Sequence, residues 1–555
     1  MRKCIIKIKL IYLIFLLLAL HLFPCFSIFA LSLEDVYGPL LSDDSFLYSS
    51  KLEYFGLREE GGHGNASFDR FNSNPYFYSI DTSLRFLIFS TDIAAGFKES
   101  YPSKYKRLTY KSTGELSEIQ RYNIDYFRDF WINTKIRKDK LEFYLNILGK
   151  RQKSNWMWEN LSFDLGYFSY INAHYEQFKG GLIYVTESDS RAAAVNLSKL
   201  TSPLLSNNQF SFEAALEYRQ GKLTRHTIYH LINRNINFYH NLRPHYTPSI
   251  TCRYGLSDNF ELESGIAYTT PLKYKYLYRQ FNSDNTSLFV DGNYKIGNSL
   301  SVPLQFKYQI KSKFRATLSS PFNFKNQKLN YQQKNTDDTI SNFERRELNY
   351  YNIKPSLELV YFDDKNKLIE KNDFSSLVKT LLLKDQYLLK FKYQKDVTHL
   401  SKNSSNGTQN IIDPYNVFMY PLDYFVNGSE FATFSAGNTS TYAANIMPQN
   451  YYQLSSMVTY GVKNTVNVGF GAGYRSANSL HTFTLYDMKN RFYRFKSYYF
   501  FDFLFDYKLN DSSLFSINGH FVPEQVTFMV REGDLQEYKS KTRYFGISCG
   551  LKILF

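Results

Sequence analysis

The sequence predicts an all-β protein: a single antiparallel up-and-down transmembrane β-barrel of about twenty strands, within a range of about 16 to 22, behind a cleaved signal peptide. Three observations predict it. Segment after segment alternates apolar and polar residues over about ten positions, the pattern of strands with one greasy and one wet face. The 555 residues include 48 Tyr and 49 Phe against 3 Trp, at a mean hydropathy of -0.39. Tyr and Phe in that proportion suit alternating strands and aromatic girdles at a membrane interface. The closing stretch places Phe545, Ile547, Cys549, Leu551, Ile553 and Phe555 on one face, with Tyr544, Gly546, Ser548, Gly550, Lys552 and Leu554 on the other.

At the start of the chain, Arg2, Lys3, Lys7 and Lys9 precede an apolar run from Leu10 to Leu20, then Pro24, Cys25 and Ser27 and a small-residue cut after Ala30. This order of charged, apolar and small-residue regions reads as a signal peptide over 1–30, leaving 31–555 as the barrel. Pro24 and the small-residue exit disfavour a retained anchor. Leu22-Phe23-Pro24 directly before Cys25 disfavours a lipid-modified terminus. Residues 31–44 are too short for a plug. Nothing later in the chain is long and apolar enough for a transmembrane helix.

Strands near 45–57, 76–90 and 93–100 open the barrel. Ile119 to Arg137 and Lys140 to Lys150 then form a hairpin around Lys138-Asp139. On its first strand Tyr122, Ile124, Tyr126, Phe130, Ile132, Thr134 and Ile136 share a face, opposed by Asn123, Asp125, Asp129, Asn133, Lys135 and Arg137. Arg128 breaks the apolar face about nine residues from the turn, near the edge of the hydrocarbon layer. Further short turns are expected at Gln220-Gly221, Gly297-Asn298 and Asn510-Asp511. Long connections are expected at about 187–208, 233–246, 271–286, 312–347, 396–450, 476–491 and 524–539. The stretch 362–384 is the exception, falling on the turn side with a short helix expected. Pro303 removes a ladder donor from an otherwise good strand, which predicts a local bulge. An even strand number brings both ends of the chain to the same side.

Two hairpins align without a gap: Tyr254-Gly255-Leu256-Ser257-Asp258-Asn259-Phe260-Glu261-Leu262 through Tyr268, and Tyr460-Gly461-Val462-Lys463-Asn464-Thr465-Val466-Asn467-Val468 through Tyr474. Each reads as Tyr-Gly-aliphatic, a tight polar turn and an ascending strand. This pattern resembles periplasmic hairpins of porin-like outer-membrane proteins. Gly550, Ile553 and Phe555 match the Gly-x-x-apolar-x-aromatic tail that resembles the sorting signal of Gram-negative outer-membrane β-barrel proteins. The resemblance implies residence in the outer membrane, contact with its lipid and lipopolysaccharide, and handling by a barrel-assembly machinery.

Cys4 and Cys25 leave with the signal. Cys252 and Cys549 remain, each on the apolar face of its strand and half the chain apart, so both read as lipid-facing residues beyond disulfide reach. No Cys/His zinc spacing occurs. His226 and His230 share a strand face but lie roughly 13 Å apart, too far for one metal ion. His240 and His245 are expected in an outer loop, solvated. No metal or cofactor is expected.

The formal charge of +15 suits attraction to lipopolysaccharide or an anion-preferring lumen. Nucleic acid is disfavoured, because the cations are spread without a recognisable binding motif. Assigning the Phe555 face to lipid puts Gln305, Lys307, Gln309 and Lys311, then Lys390, Lys392 and Gln394, then Arg494 and Lys496 toward the lumen. In the earlier half it puts Asp125, Asp129, Glu213, Glu217, Glu261 and Glu263 there. Two arrangements fit: a transverse field with bases facing acids across the pore, or local pairing of neighbours. Local pairing is the stronger expectation, because Lys135, Arg137, Arg219, Asp502 and Asp506 blur the segregation.

An enzyme is not expected: no G-x-S-x-G elbow is present, and the inward candidate His520, on the strand Leu514 to Val522, has no identifiable serine partner. The function expected is a porin-like channel for passive diffusion of small hydrophilic solutes. The alternative is a closed surface-binding or adhesion barrel that works through its long loops.

Overall fold

The computed structural model describes residues 46–554 apart from 187–203, 363–381, 408–442, 446–450 and shorter stretches, most of them at strand junctions. The segments align end to end into eighteen strands. The first six are β1 (Phe46–His63), β2 (Arg70–Ser73 and Tyr76–Ile88), β3 (Thr91–Ser100 and Ser103–Tyr110), β4 (Leu116–Lys138), β5 (Leu141–Asn160) and β6 (Leu165–Val185). The next six are β7 (Phe210–Tyr229), β8 (Arg234–Ser257), β9 (Phe260–Thr269 and Leu272–Phe281), β10 (Ser287–Ile296, Ser299–Val302 and Leu304–Ile310), β11 (Phe314–Ser319 and Phe322–Lys334) and β12 (Ile340–Ile353 and Ser356–Phe362). The last six are β13 (Tyr387–Gly407), β14 (Ala443–Asn445 and Tyr451–Lys463), β15 (Val466–Arg475 and Asn478–Thr484), β16 (Lys489–Phe495 and Tyr498–Asn510), β17 (Ser513–Arg531) and β18 (Glu537–Leu554).

Each strand pairs antiparallel with the next. β18 pairs with β1 from Leu47 opposite Leu554 to His63 opposite Tyr538, so the ladder has no open edge. The strand number is even, and Phe46 and Leu554 lie at the same end, here called the terminal end.

The barrel is polar inside and apolar outside. Asp129, Glu261, Ser79 and Thr542 are fully buried, whereas Leu52, Phe143, Leu216 and Phe470 are exposed. Outward tyrosines bound the apolar zone. β8, β14 and β16 each include a pair of exposed tyrosines eight residues apart: Tyr246 and Tyr254, Tyr452 and Tyr460, Tyr499 and Tyr507. Eight residues rise roughly 26 Å along a strand and about 20 Å after tilting, close to the ~25 Å band of membrane barrels. A closed ladder carrying such a band satisfies every backbone group that faces lipid, which marks a transmembrane β-barrel of the outer membrane. Cys252 is exposed on the outer face beside Ile250 and Tyr254, and Cys549 is outward opposite Leu52; both are free thiols.

The strands run far beyond the band. β8 has 24 residues, roughly 80 Å before tilt. Gln220-Gly221, expected as a turn, therefore lies inside β7. Most of the expected connections at 233–246, 271–286, 312–347, 476–491 and 524–539 is strand, and His240 and His245 belong to β8. Past the hydrocarbon both faces of a strand meet water, so alternation fades and such a segment reads as a loop. The other correction concerns 187–208, which joins β6 to β7 at the terminal end, as 363–386 joins β12 to β13. The helix expected in 362–384 falls almost wholly outside the described residues. Pro303 introduces no bulge: Ala267 opposite Ser301 and Ser264 opposite Leu304 keep one register, as do Val302 opposite Phe322 and Gln305 opposite Ser319.

Inward aromatics pack over glycines. A Cβ on Gly96 would lie 2.3 Å from the Trp131 ring, so only glycine admits that ring against the wall. Trp131 and Ala94 are buried there beside Leu148.

Candidate functional site

The inner wall is built from side chains at alternate positions of neighbouring strands, so cross-strand register decides which charges meet. On β1, Glu53 accepts from Lys98 of β3, pairs with Lys51 and accepts the Ser79 hydroxyl of β2 at 3.1 Å. At the terminal end Arg85 of β2 holds Asp92 of β3 through Nε at 2.9 Å and through Nη2. Between β4 and β5, Asp129 faces Lys150 at 3.8 Å and Lys135 faces Glu142 at 3.2 Å. Glu213 of β7 accepts from Tyr144 of β5 and lies 4.0 Å from Lys179 of β6. Glu217 accepts from Gln177 at 2.6 Å and from Arg219.

The densest cluster spans β8 to β10. Arg253 donates to both oxygens of Glu261 at 2.7 Å, and Lys307 approaches Glu261 at 3.1 Å and Glu263 at 3.4 Å. On β12 and β13, Glu358 pairs with Lys390 at 3.1 Å. Lys392 points the same way, between outward Phe391 and half-buried Tyr393, with no ion-pair partner among the described residues. These bases and acids face one another on the same strand or on strands one or two places apart, rather than across the lumen.

Three of the expected inward positions fall elsewhere. Asp125 occupies a bulge between Ile124 and Tyr126, and the amide of Asn155 donates to it at 3.1 Å on the outer side. The break at Lys496-Ser497 shifts the parity of β16. Phe495, opposite Thr527, is buried at the inner wall, and Arg494 takes the other face and is exposed. Lys496 is exposed, its ammonium 5.2 Å from the Phe528 ring centre. Lys311 and Phe555 lie outside the described residues; Gly550 is inward, opposite Lys51, and Ile553 outward, opposite Tyr48.

Arg128 shows how a cation is tolerated outside. It stacks 4.2 Å from the Tyr126 ring centre and donates from Nε to Glu99 of β3 at 3.2 Å, so neither its charge nor its stem is left against lipid.

His226 donates from Nδ1 to the Asn237 amide oxygen at 2.6 Å, and His245 is buried at a bulge of β8. Among the described residues no group of three ligand-type side chains is arranged to hold a metal. His520 of β17 meets Asp502 of β16 at 2.7 Å, between the rings of Phe500 and Tyr544. The sequence places both His520 and Asp502 inward but does not pair them, because the register of β16 with β17 is needed to put them side by side.

No family model matches the chain, and no curated protein matches it. Among solved structures the chain is similar to the siderophore receptor PiuA from Acinetobacter baumannii, at 10% identity and a TM-score of 0.41 over 93% of this chain and 82% of that one. It is also similar to the ferric yersiniabactin uptake receptor FyuA from Yersinia pestis, at 10% identity and a TM-score of 0.37 over 90% and 80%. A third is the toluene transporter TodX of P. putida, at 8% identity and a TM-score of 0.29 over 94% and 91%.

Proposed function

We propose that the protein is a porin-like channel for the passive diffusion of small hydrophilic solutes across the outer membrane. One observation carries this reading: an eighteen-strand circumference whose inner wall, among the described residues, carries buried polar and charged side chains from β1 to β18. Eighteen strands spaced about 4.8 Å apart and tilted about 40° give a backbone radius on the order of 18 Å, the class of barrel that leaves an aqueous channel after side chains fill the margin. Local charge pairing leaves the wall wet without a strong net field at most positions.

In this reading Glu213, Glu217, Glu263, Lys307, Lys390 and Lys392 line the path, Asp129 and Glu261 anchor the wall behind it, and the solutes are small and water-soluble, with no catalysis. Residues 31–555 act as one barrel once the leader over 1–30 is removed, with Gly550, Ile553 and Phe555 serving its delivery to the membrane.

The test is single-channel recording of purified protein in a planar bilayer. Discrete conductance steps support the channel. A folded, heat-modifiable barrel that inserts and passes no ions overturns it in favour of a closed surface-binding barrel.

A further inference from the structure

On the outer wall the apolar surface of β5, β6 and β7 stops at one row. Ile147, Phe178, Tyr218 and Tyr246 lie side by side across β5 to β8. Their ring centres are 5.7 Å apart for Phe178 and Tyr218 and 5.5 Å for Tyr218 and Tyr246. Toward the terminal end the outward residues are apolar, among them Leu141, Phe143, Leu145 and Leu216. Beyond the row they turn basic. Arg128 of β4 faces Arg151 of β5, Arg151 faces His174 of β6, and His174 faces Lys222 of β7. Lys153 follows on the same face of β5, opposite Tyr126.

The level of these cations in the membrane follows from their distance along each strand. Tyr246, Tyr452 and Tyr499 each lie eleven residues from the terminal end of their strands. Arg128 and Arg151 lie ten residues from theirs, His174 eleven, and Lys153 and Lys222 twelve. All five therefore stand at the far tyrosine boundary, where hydrocarbon gives way to headgroups. The tight turns from Lys138 to Leu141, Ser257 to Phe260, Lys463 to Val466 and Asn510 to Ser513 are at the terminal end, and short turns mark the periplasmic side of such barrels. The basic row thus meets the outer leaflet.

Like charges directly opposite on neighbouring strands repel, so the row costs stability unless an anion joins it. The acids nearby are engaged elsewhere. Glu99 holds Arg128 at 3.2 Å, Glu176 holds His174 at 3.0 Å and accepts from Gln220, and Asp125 accepts the Asn155 amide at 3.1 Å. Arg151, Lys153 and Lys222 are exposed and have no ion-pair partner among the described residues.

We infer that Arg151, Lys153 and Lys222, with Arg128 at the edge, bind the phosphates of lipopolysaccharide in the outer leaflet while its acyl chains lie along the apolar wall below. The inference names a site for the lipid contact that residence in the outer membrane implies. Arg128 and Lys222 are three inter-strand steps apart, roughly 14 Å, which is wide enough for a headgroup with more than one phosphate. A glycerophospholipid brings a single phosphate and leaves most of the row unmatched. The Arg151 guanidinium can give a phosphate two parallel N–H donors, and the two ammonium groups add charge with little directional demand. The site is on the outer wall and does not depend on whether the lumen conducts.

The test uses the whole folded barrel, immobilised in detergent, with micelles of lipopolysaccharide or of phosphatidylglycerol and with inorganic phosphate as competitor. The wild type is expected to bind lipopolysaccharide more tightly than phosphatidylglycerol. Each basic residue at a lipid surface contributes about fivefold, so the triple variant Arg151→Gln, Lys153→Gln and Lys222→Gln is expected to lose at least about tenfold in affinity. The control triple, Lys138→Gln, Lys140→Gln and Lys463→Gln, removes the same charge at the terminal end and is expected to bind as the wild type does. Thermal unfolding separates loss of binding from loss of fold. Without lipid the first triple is expected to be at least as stable as the wild type, because the repulsion is gone. Lipopolysaccharide is expected to raise the midpoint of the wild type and of the control but not of the first triple. Equal weakening by both triples, or none by the first, overturns the inference. So does a first triple that is less stable than the wild type without lipid, since the cations would then serve the fold. Phosphatidylglycerol binding as tightly as lipopolysaccharide, or displacement by inorganic phosphate at equal phosphate concentration, overturns it as well.

Discussion

Lys307 holds its ammonium 3.1 Å from a carboxylate oxygen of Glu261, whose side chain is wholly withdrawn from solvent. Removing the acid strands two cations, Lys307 and Arg253, beside the less buried Glu263. Glu261→Ala is therefore expected to destabilise the barrel by about 3 kcal/mol, the low end for breaking a buried pair. Glu263→Ala, at a partly exposed position, is expected to cost under about 1 kcal/mol. Urea unfolding from lipid vesicles measures both, and equal costs would show that Glu261 is not the anchor of the cluster.

Lys392 and Lys390 share the inner face of β13, and Glu358, which lies opposite Lys392 in the ladder, makes its ion pair with Lys390. An unpaired cation in a wet lumen acts on passing ions, whereas a paired one is largely cancelled. Lys392→Glu is expected to move the reversal potential across a salt gradient toward cation preference with insertion unchanged. Lys390→Glu also removes the ion pair with Glu358 and is expected to lower stability as well. A reversal potential unmoved by Lys392→Glu in a conducting channel removes that residue from the pore.

Gly96 admits the Trp131 ring against the inner wall of β3 and β4. Gly96→Ala overpacks this contact and is expected to cost about 1 to 3 kcal/mol. Gly149→Ala, where nothing lies within 4 Å of the added carbon, is the matched control and is expected to change stability little. Unfolding midpoints followed by tryptophan emission compare the two, and indistinguishable midpoints would show that the ring has room to move aside.

The closing strand illustrates what is legible in a sequence. Alternation from Tyr544 to Ile553 gave the inward and outward faces correctly, because within the hydrocarbon band the two sides of a strand meet opposite solvents. The same logic failed in β8 above Tyr246, where both faces meet water and strand reads as loop. It failed again at Arg494 and Asp125, where a break and a bulge reverse parity, and parity errors pass unnoticed in a sequence that is polar on both faces.

The barrel itself, its wet interior, its aromatic boundaries and its even strand number follow from residue order alone, since each depends on periodicity within single strands. Which charges meet does not. Glu261 with Lys307, Asp502 with His520 and Arg128 with Glu99 are set by register between strands that lie up to 46 residues apart in the chain. The hydrogen bond from the Leu205 N–H to Glu261, 56 residues on, is likewise decided by tertiary structure. Register is a property of paired strands, and no single strand contains it.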